Sequence, residues 1–266
     1  MTRFDALGGA VLGLALAVLF LVETRAPLRR RVRPRAERLA TNALVALGAA
    51  LVVRLALVPV GVVVAGAAER GGVGLLHWWP VPAGLAWPAG LLLLDYTMYV
   101  WHRLNHRVPL LWRFHLVHHT DLDLDVSTAL RFHAGELLLS CGWRAVQVAV
   151  IGPPVALLLV FEVVFETATA FHHSNWRLPR ALDRALATVV VTPRMHGVHH
   201  STRQVETNSN WSVLLSCWDR LHRTLRLERP AEPLVIGLPA YRTPLAVREL
   251  LALPFRRQRP AWPRPT

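Results

Sequence analysis

Apolar runs of membrane-spanning length alternate along the chain with short stretches rich in arginine or histidine. A helix rising 1.5 Å per residue needs about 20 apolar residues to cross a hydrocarbon core. Residues 6–22 carry no charge, 44–68 are interrupted only by Arg54, and 81–101 hold a single acid, Asp95. A fourth run, 137–171, is too long for one span and is broken by Pro153-Pro154. Proline removes a helical donor and clashes with the preceding turn, so two half-segments joined by a tight bend are expected there. The pattern predicts an all-α fold: an integral membrane helical bundle, with the polar chemistry gathered in a helical cap on one side. The first run lacks a basic start beyond Arg3 and a small-residue cleavage site, and is read as an anchor rather than a signal peptide.

Composition supports a membrane protein, with 53% hydrophobic residues, and charge sets its orientation. The net charge of +13 comes from arginine alone, with no lysine in the chain. Seven arginines lie between Arg25 and Arg38, in a short loop between the first two runs. Such a loop is a topology signal, retained in the cytoplasm where anionic lipid also attracts it, and no nucleic-acid partner is implied. Residues 69–80 then form the outer turn, with Trp78 and Trp79 at the interface. The third run returns inward and brings His102 and His106 to the cytoplasmic face. The split hairpin begins and ends on that same face, so 12 of the 13 histidines are expected there, with His77 the exception. Three regions follow: anchor helices with the basic loop (1–90), a histidine-motif region (91–228) and a C-terminal tail (229–266), whose Pro/Arg-rich end is expected to be disordered. Cys141 and Cys217 make neither a disulfide framework nor a C-x-x-C site.

The histidines carry the chemistry. HLVHH (115–119) and HGVHH (196–200) share the spacing H-x-x-H-H. At 13 histidines in 266 residues, a given five-residue window matches about once in 10⁴ by chance. On a helix each motif is expected to turn His115, His118 and His119, or His196, His199 and His200, to one side as a claw. His102 and His106 share a helix face with Asp95 and Tyr99. Neutral imidazole binds iron, zinc, copper or nickel, and eight such rings exceed what one ion takes, which argues for two. Either His172 or His173 adds a ninth. Glu162 and Glu166, buried at membrane depth, are expected to partner a metal or its histidines. Asp95 is placed to hold a histidine of another segment, or alternatively to pair with Arg54. His133 reads as a loop-packing or supporting residue, and His77 and His222 as surface or interface residues.

The blocks DYTMYVWHRLNH, HLVHH, ALRFHAGE, FHHSN, TPRMHGVHHS, ETNSNW and LSCWDRL, in that order between about 90 and 225, resemble the fatty acid hydroxylase superfamily, also called the sterol desaturase family. The resemblance implies a helical membrane bundle capped by a cytoplasmic, histidine-coordinated dimetal centre that activates dioxygen for lipid hydroxylation or desaturation. Carried over residue by residue, it implies His102, His106, His115, His118, His119, His173, His196, His199 and His200 as metal ligands. Asn175 and Asn210 fall at its asparagine positions. Asp95 and Asn175 are the candidate catalytic residues. Ala134, where relatives place proline, and His222, where they place phenylalanine, depart from the pattern.

The implied cofactor is two iron ions, with zinc able to take their place in purified protein. The implied partners are a lipid substrate, the membrane and an external electron donor of ferredoxin or cytochrome b5-like kind, for which the arginine-rich face offers a docking surface. The expected location is the inner membrane of a bacterium, with the histidines cytoplasmic. A haem-carrying membrane cytochrome and a non-oxidative zinc enzyme are the competing readings.

Overall fold

In the computed structural model, which describes residues 3–79, 82–227 and 234–263, the chain folds mainly into helices. Helix α1 (Arg3–Arg25) is followed by α2 (Arg35–Val52) and α3 (Val58–Gly71), which a π-helical turn at Val53–Leu57 joins into one rod. After the short α4 (Leu75–Trp78) come α5 (Ala83–Arg107), α6 (Pro109–His119), α7 (Ala134–Ile151) and α8 (Val155–His173). Five short helices complete the cap: α9 (Arg180–Leu186), α10 (Pro193–His199), α11 (Gln204–Thr207), α12 (Cys217–Leu221) and α13 (Val247–Ala252). Among the described residues the extended pairings are isolated bridges, such as Pro27 with Trp176.

Four helical stretches are long and apolar enough to cross a membrane: Leu7–Arg25, Arg35–Trp78, Ala134–Ile151 and Val155–His173. The expected break at Pro153-Pro154 is present, with α7 ending at Ile151 and α8 beginning at Val155. From Ala83 on, the third run lies in α5, which has the length to span but is not among the four. Its polar stripe is turned inward, where Asp95 and Tyr99 are fully buried. Leu14, Leu47, Leu55 and Val63 are each 67% exposed, an outer apolar surface of the kind that lipid covers. Inside, Ala65, Leu94, Ile151, Leu157 and Phe161 join α3, α5, α7 and α8 in one core.

The turn before α4 meets the turn between α7 and α8 backbone to backbone. A Cβ on Gly74 (φ 109°) would lie 2.5 Å from the Gly152 nitrogen. Both residues sit at positive φ, so glycine is required twice over. The exposed His77 lies at this end, away from the other histidines.

The basic loop lies at the opposite end, packed on the histidine region. The Leu28 N–H donates to the Asn175 carbonyl and the Arg29 guanidinium to that of Pro193. Arg38, fully buried, donates to both oxygens of Asp121 and of Asp125 and to Thr128 Oγ1. Arg35 pairs with the buried Glu23 at 2.7 Å. The arginines read from sequence as a topology signal therefore also pin the loop after α6, a tertiary use that composition alone does not reveal.

The Pro/Arg-rich end departs from the expected disorder over its described residues, 256–263. Residues 234–263 form a strap over α6 and α2, in which Leu238, Tyr241, Leu250, Leu253 and Ala261 are buried with Leu116, Val117 and Val45. Arg113 donates to the Pro254 and Arg256 carbonyls, Gln258 donates to that of Arg113, and the Trp262 indole donates to that of Thr202. Spaced apolar anchors hold the strap despite its proline and arginine content. Residues 228–233 and 264–266 lie outside the described residues.

Candidate metal centre

Val108 stands in extended conformation (φ −91°, ψ 118°) before Pro109, which opens α6. A residue before proline avoids the helical region, so α5 must stop and the chain turn at one residue. The corner folds α6 back towards the last turn of α5, and the His106 ring lies 4.9 Å from that of His115 and 4.8 Å from that of His119. His172 and His173 close α8. Thr192 caps α10 by accepting from the Met195 N–H, with Pro193 in the first turn, and this short helix presents His196 and His199.

Nine imidazoles from these four segments form two adjoining groups. One contains His102, His106, His115, His119 and His199, the other His118, His173, His196 and His200, with candidate ligand atoms in each group within 4.8 Å of one another. These are the nine histidines singled out from sequence, and His173 rather than His172 joins them.

The claws do not act as units. At 100° per residue, positions i and i+4 point about 40° apart, while i+3 and i+4 diverge by about 100°. His115 and His119 therefore stay together and His118 goes to the other group; His196 and His200 stay together and His199 crosses over. Each motif contributes to both groups, and the stacked rings of His119 and His200, 4.5 Å apart, sit at the junction.

Ring nitrogens converge as ligands around a cation would. His173 Nε2 lies 3.0 Å from His118 Nε2 and 3.1 Å from His196 Nε2, and His200 Nε2 lies 3.2 Å from His196 Nε2. Metal–nitrogen bonds of about 2.1 Å at octahedral or tetrahedral angles place neighbouring nitrogens about 3.0–3.4 Å apart. The other nitrogen is fixed from behind: His102, His173 and His199 donate Nδ1–H to the carbonyls of Trp211, Thr169 and Ser209. His115 donates to Glu136 Oε1 at 2.8 Å. Such bonds select the tautomer whose Nε2 lone pair faces inward.

His199 Nε2 and both nitrogens of His106 are buried without a hydrogen-bond partner, a costly state that coordination would relieve at one nitrogen of each ring. Burial first, and neighbouring imidazoles second, hold His118, His119, His196 and His200 well below the ordinary histidine range, so these rings are neutral and keep their lone pairs. The donor set thus fits two nitrogen-liganded transition-metal ions. Rings packed 4.5 Å apart, as His102 and His199 are, leave no gap for a haem macrocycle.

The fatty acid hydroxylase profile matches residues 87–224, or 138 of 266. This chain belongs to the fatty acid hydroxylase family. It is 31% identical over 147 residues to the ornithine lipid hydroxylase OlsE of Rhizobium tropici, covering 54% of this chain and 44% of that protein. It is 28% identical over 155 residues to the alkylglycerol monooxygenase of Homo sapiens, covering 57% and 33%. With the cholesterol 25-hydroxylase of Homo sapiens it shares 31% identity over 170 residues, covering 58% and 60%. The matched part thus spans less than two thirds of each relative's length. No solved structure matches the chain.

In this member of the fatty acid hydroxylase family, the two non-histidine candidates act at one remove from the imidazoles. Asp95 accepts from the Leu214 and Leu215 N–H groups and from the Trp218 indole. It thereby fixes the loop at 211–218, whose Trp211 and Val213 carbonyls accept from His102 and His172. The expected bond from Asp95 to a histidine is not formed, and Asp95 reaches His102 and His172 only by holding the loop whose carbonyls they bond. Asn175 accepts from the Arg29 N–H and donates to the Arg29 carbonyl, tying the basic loop to the end of α8. Asn210, at φ 52°, bridges the Met195 and Arg226 carbonyls, so it supports α10. His133 caps α7 and donates to the Leu251 carbonyl, which agrees with the loop-packing reading. His222 stacks on Tyr99 at 4.9 Å.

Glu162 differs from expectation, since its partner is Arg144 of α7 at 3.0 Å. Neither end of that pair can be placed from helical spacing within α8, because the two residues sit on different helices. Sequence reasoning also missed Glu136, quoted only as part of a motif, although it lies at the start of a helix that directly follows a histidine. The buried Asp219 accepts from the Trp211 and Ser212 N–H groups, a role for which no spacing gave a signal.

Proposed function

We propose that the protein is a membrane-bound hydroxylase that uses dioxygen and an external reductant to insert an oxygen atom into a lipid C–H bond. One oxygen atom enters the product and the other leaves as water, with two electrons from a separate carrier protein and two protons from solvent. The observation that carries this reading is the convergence of nine imidazoles into two adjoining groups. Held there, two iron ions would supply reductive activation of dioxygen, a reaction that nitrogen donors of this type support. His102, His106, His115, His119 and His199 would hold one ion, and His118, His173, His196 and His200 the other.

The chain's own residues supply placement. Backbone carbonyls and Glu136 fix the rings, α5 and α8 carry them at the end of the apolar bundle, and a lipid tail lying among the helices reaches them from below. The names of the relatives, two hydroxylases and a monooxygenase, favour hydroxylation over desaturation, and each acts on a lipid. The positive-inside rule places the arginine-rich loop, and with it the histidine end, in the cytoplasm.

The test is turnover by iron-loaded protein in lipid nanodiscs, supplied with a reductant and isotopically labelled dioxygen. A lipid product carrying the label, absent from His118→Ala and His199→Ala variants that still insert into the membrane, is the expected result. Product formation without dioxygen, or label drawn from water, overturns the reading in favour of a non-oxidative zinc enzyme.

A further inference from the structure

The strap at 234–263 holds five exposed arginines, Arg242, Arg248, Arg256, Arg257 and Arg259, against one acid, Glu249. Glu249 already accepts from the Ala246 N–H. Beside the arginines, an apolar depression of about 300 Å³ is walled by Pro239, Ala240, 260–261, Pro263 and the half-buried ring of Trp262. Trp262 stacks on Trp112 with centroids 5.7 Å apart and planes 24° from parallel. Trp112 in turn lies 5.0 Å from His106 and 5.6 Å from His119, both in the five-histidine group. A continuous chain of ring contacts thus runs from a basic surface to the imidazoles.

We infer that this strap is the docking face for a small acidic one-electron carrier protein, and that Trp262 and Trp112 conduct its electrons to the centre. The inference rests on the oxygenase reading, since only a centre reduced in each cycle needs an entry for electrons. In each encounter the carrier loses one electron and the histidine-held ions gain it; two encounters supply one turnover. Arginines around an apolar patch suit such a partner, because charge steers the encounter while the patch sets the contact. The fastening of the strap to α6 through Arg113 and Gln258 keeps the two indoles in register. An anionic lipid surface would use the arginines but not the indole path, and it is the competing occupant.

The experiment uses the iron-loaded protein in nanodiscs of neutral lipid, with an acidic plant-type ferredoxin as carrier and dithionite as a small reductant that bypasses docking. The combined variant Arg256→Glu, Arg257→Glu, Arg259→Glu should slow carrier association by about ten- to a thousandfold at low ionic strength, with the difference vanishing at high salt. Trp262→Leu should keep carrier binding and lose most of the carrier oxidation rate, while reduction by dithionite is unchanged. Trp262→Phe, which preserves the packing, should retain an intermediate rate and guards against a loosened strap.

The docking face is overturned if charge reversal leaves carrier association and its salt dependence as they were. It is also overturned if reversal weakens binding only to anionic vesicles. If dithionite supports no dioxygen-dependent lipid turnover in the unaltered protein, the oxygenase reading falls and takes this inference with it. If dithionite supports turnover and the variants behave as wild type, the docking face alone falls.

Discussion

His115 Nδ1 lies 2.8 Å from Glu136 Oε1, where His102, His173 and His199 give the equivalent proton to backbone carbonyls. A carboxylate behind a ligating imidazole raises its basicity as well as fixing its orientation. Both partners are buried, so the charge is felt at close range. Glu136→Ala should weaken metal binding by the five-histidine group by about 10–100-fold, measured by chelator competition. Glu136→Gln keeps an acceptor without the charge and should fall between. Unchanged affinity in both variants would reduce Glu136 to packing.

The features legible in the sequence were those that depend on neighbours along the chain. Apolar run length gave the helices, Pro153-Pro154 gave the break, and histidine spacing together with the family resemblance gave the nine candidates. What the spacing left open was the assortment, since H-x-x-H-H gives the angular fan of three rings but not what stands opposite. The split of His118 from His115 and His119 appears only when α10 is laid against α6. Long-range polar partners were illegible for the same reason: Arg38 and Asp121 are 83 positions apart, and a run of arginines looks alike whether it faces lipid or a buried carboxylate. The Pro/Arg-rich end at 256–266 resembles disorder by composition, because the partners that hold it, the Arg113 carbonyl for Gln258 and the Thr202 carbonyl for the Trp262 indole, lie far away along the chain.

Asp95 should behave as a positioning residue. An amide in its place would turn one donor towards the Leu214 and Leu215 N–H groups, and each bond to the charged oxygens contributes about 1.5–3 kcal/mol. Asp95→Asn should therefore loosen the loop at 211–218, lower the melting temperature and reduce metal content through His102, with the helical circular dichroism signal retained. A variant with full metal content and slow chemistry would instead put Asp95 in the reaction.

Arg38 compensates two carboxylates in a buried setting. Arg38→Met removes the guanidinium that bridges them, leaving only the more distant Arg131 and Arg31, and removal of one partner from such a network costs about 3–5 kcal/mol, readable from unfolding in detergent. The pH dependence has a definite sign. Burial raises the Asp121 carboxyl, but Arg38 and Arg131 outweigh that and hold it at about 2, against an ordinary value of about 3.9. A carboxyl lowered in the folded state stabilises fully above its unfolded value and loses that contribution as pH falls towards the folded one. The gap in stability between wild type and Arg38→Met should therefore be widest near neutrality and narrow as the medium becomes more acid than the ordinary carboxylate range. A constant gap would mean that Arg38 acts through packing alone.

The arginine loop is bonded to the histidine end through Arg29, Asn175 and Pro193, so the proposed cytoplasmic placement of the loop carries that end with it. The two ends of the bundle can be distinguished chemically, because Cys141 and Cys217 are both free thiols in no disulfide. In a Cys141→Ser, Cys217→Ser background, Arg257→Cys reports on the strap, and Glu69→Cys reports on the opposite turn; both positions are exposed. A membrane-impermeant maleimide applied to intact cells should label the cysteine at position 69 and reach the one at 257 only after permeabilisation. The reverse pattern would put the histidines outside the cytoplasm, away from soluble carriers there, and would require the positive loop to have crossed the membrane against the charge rule.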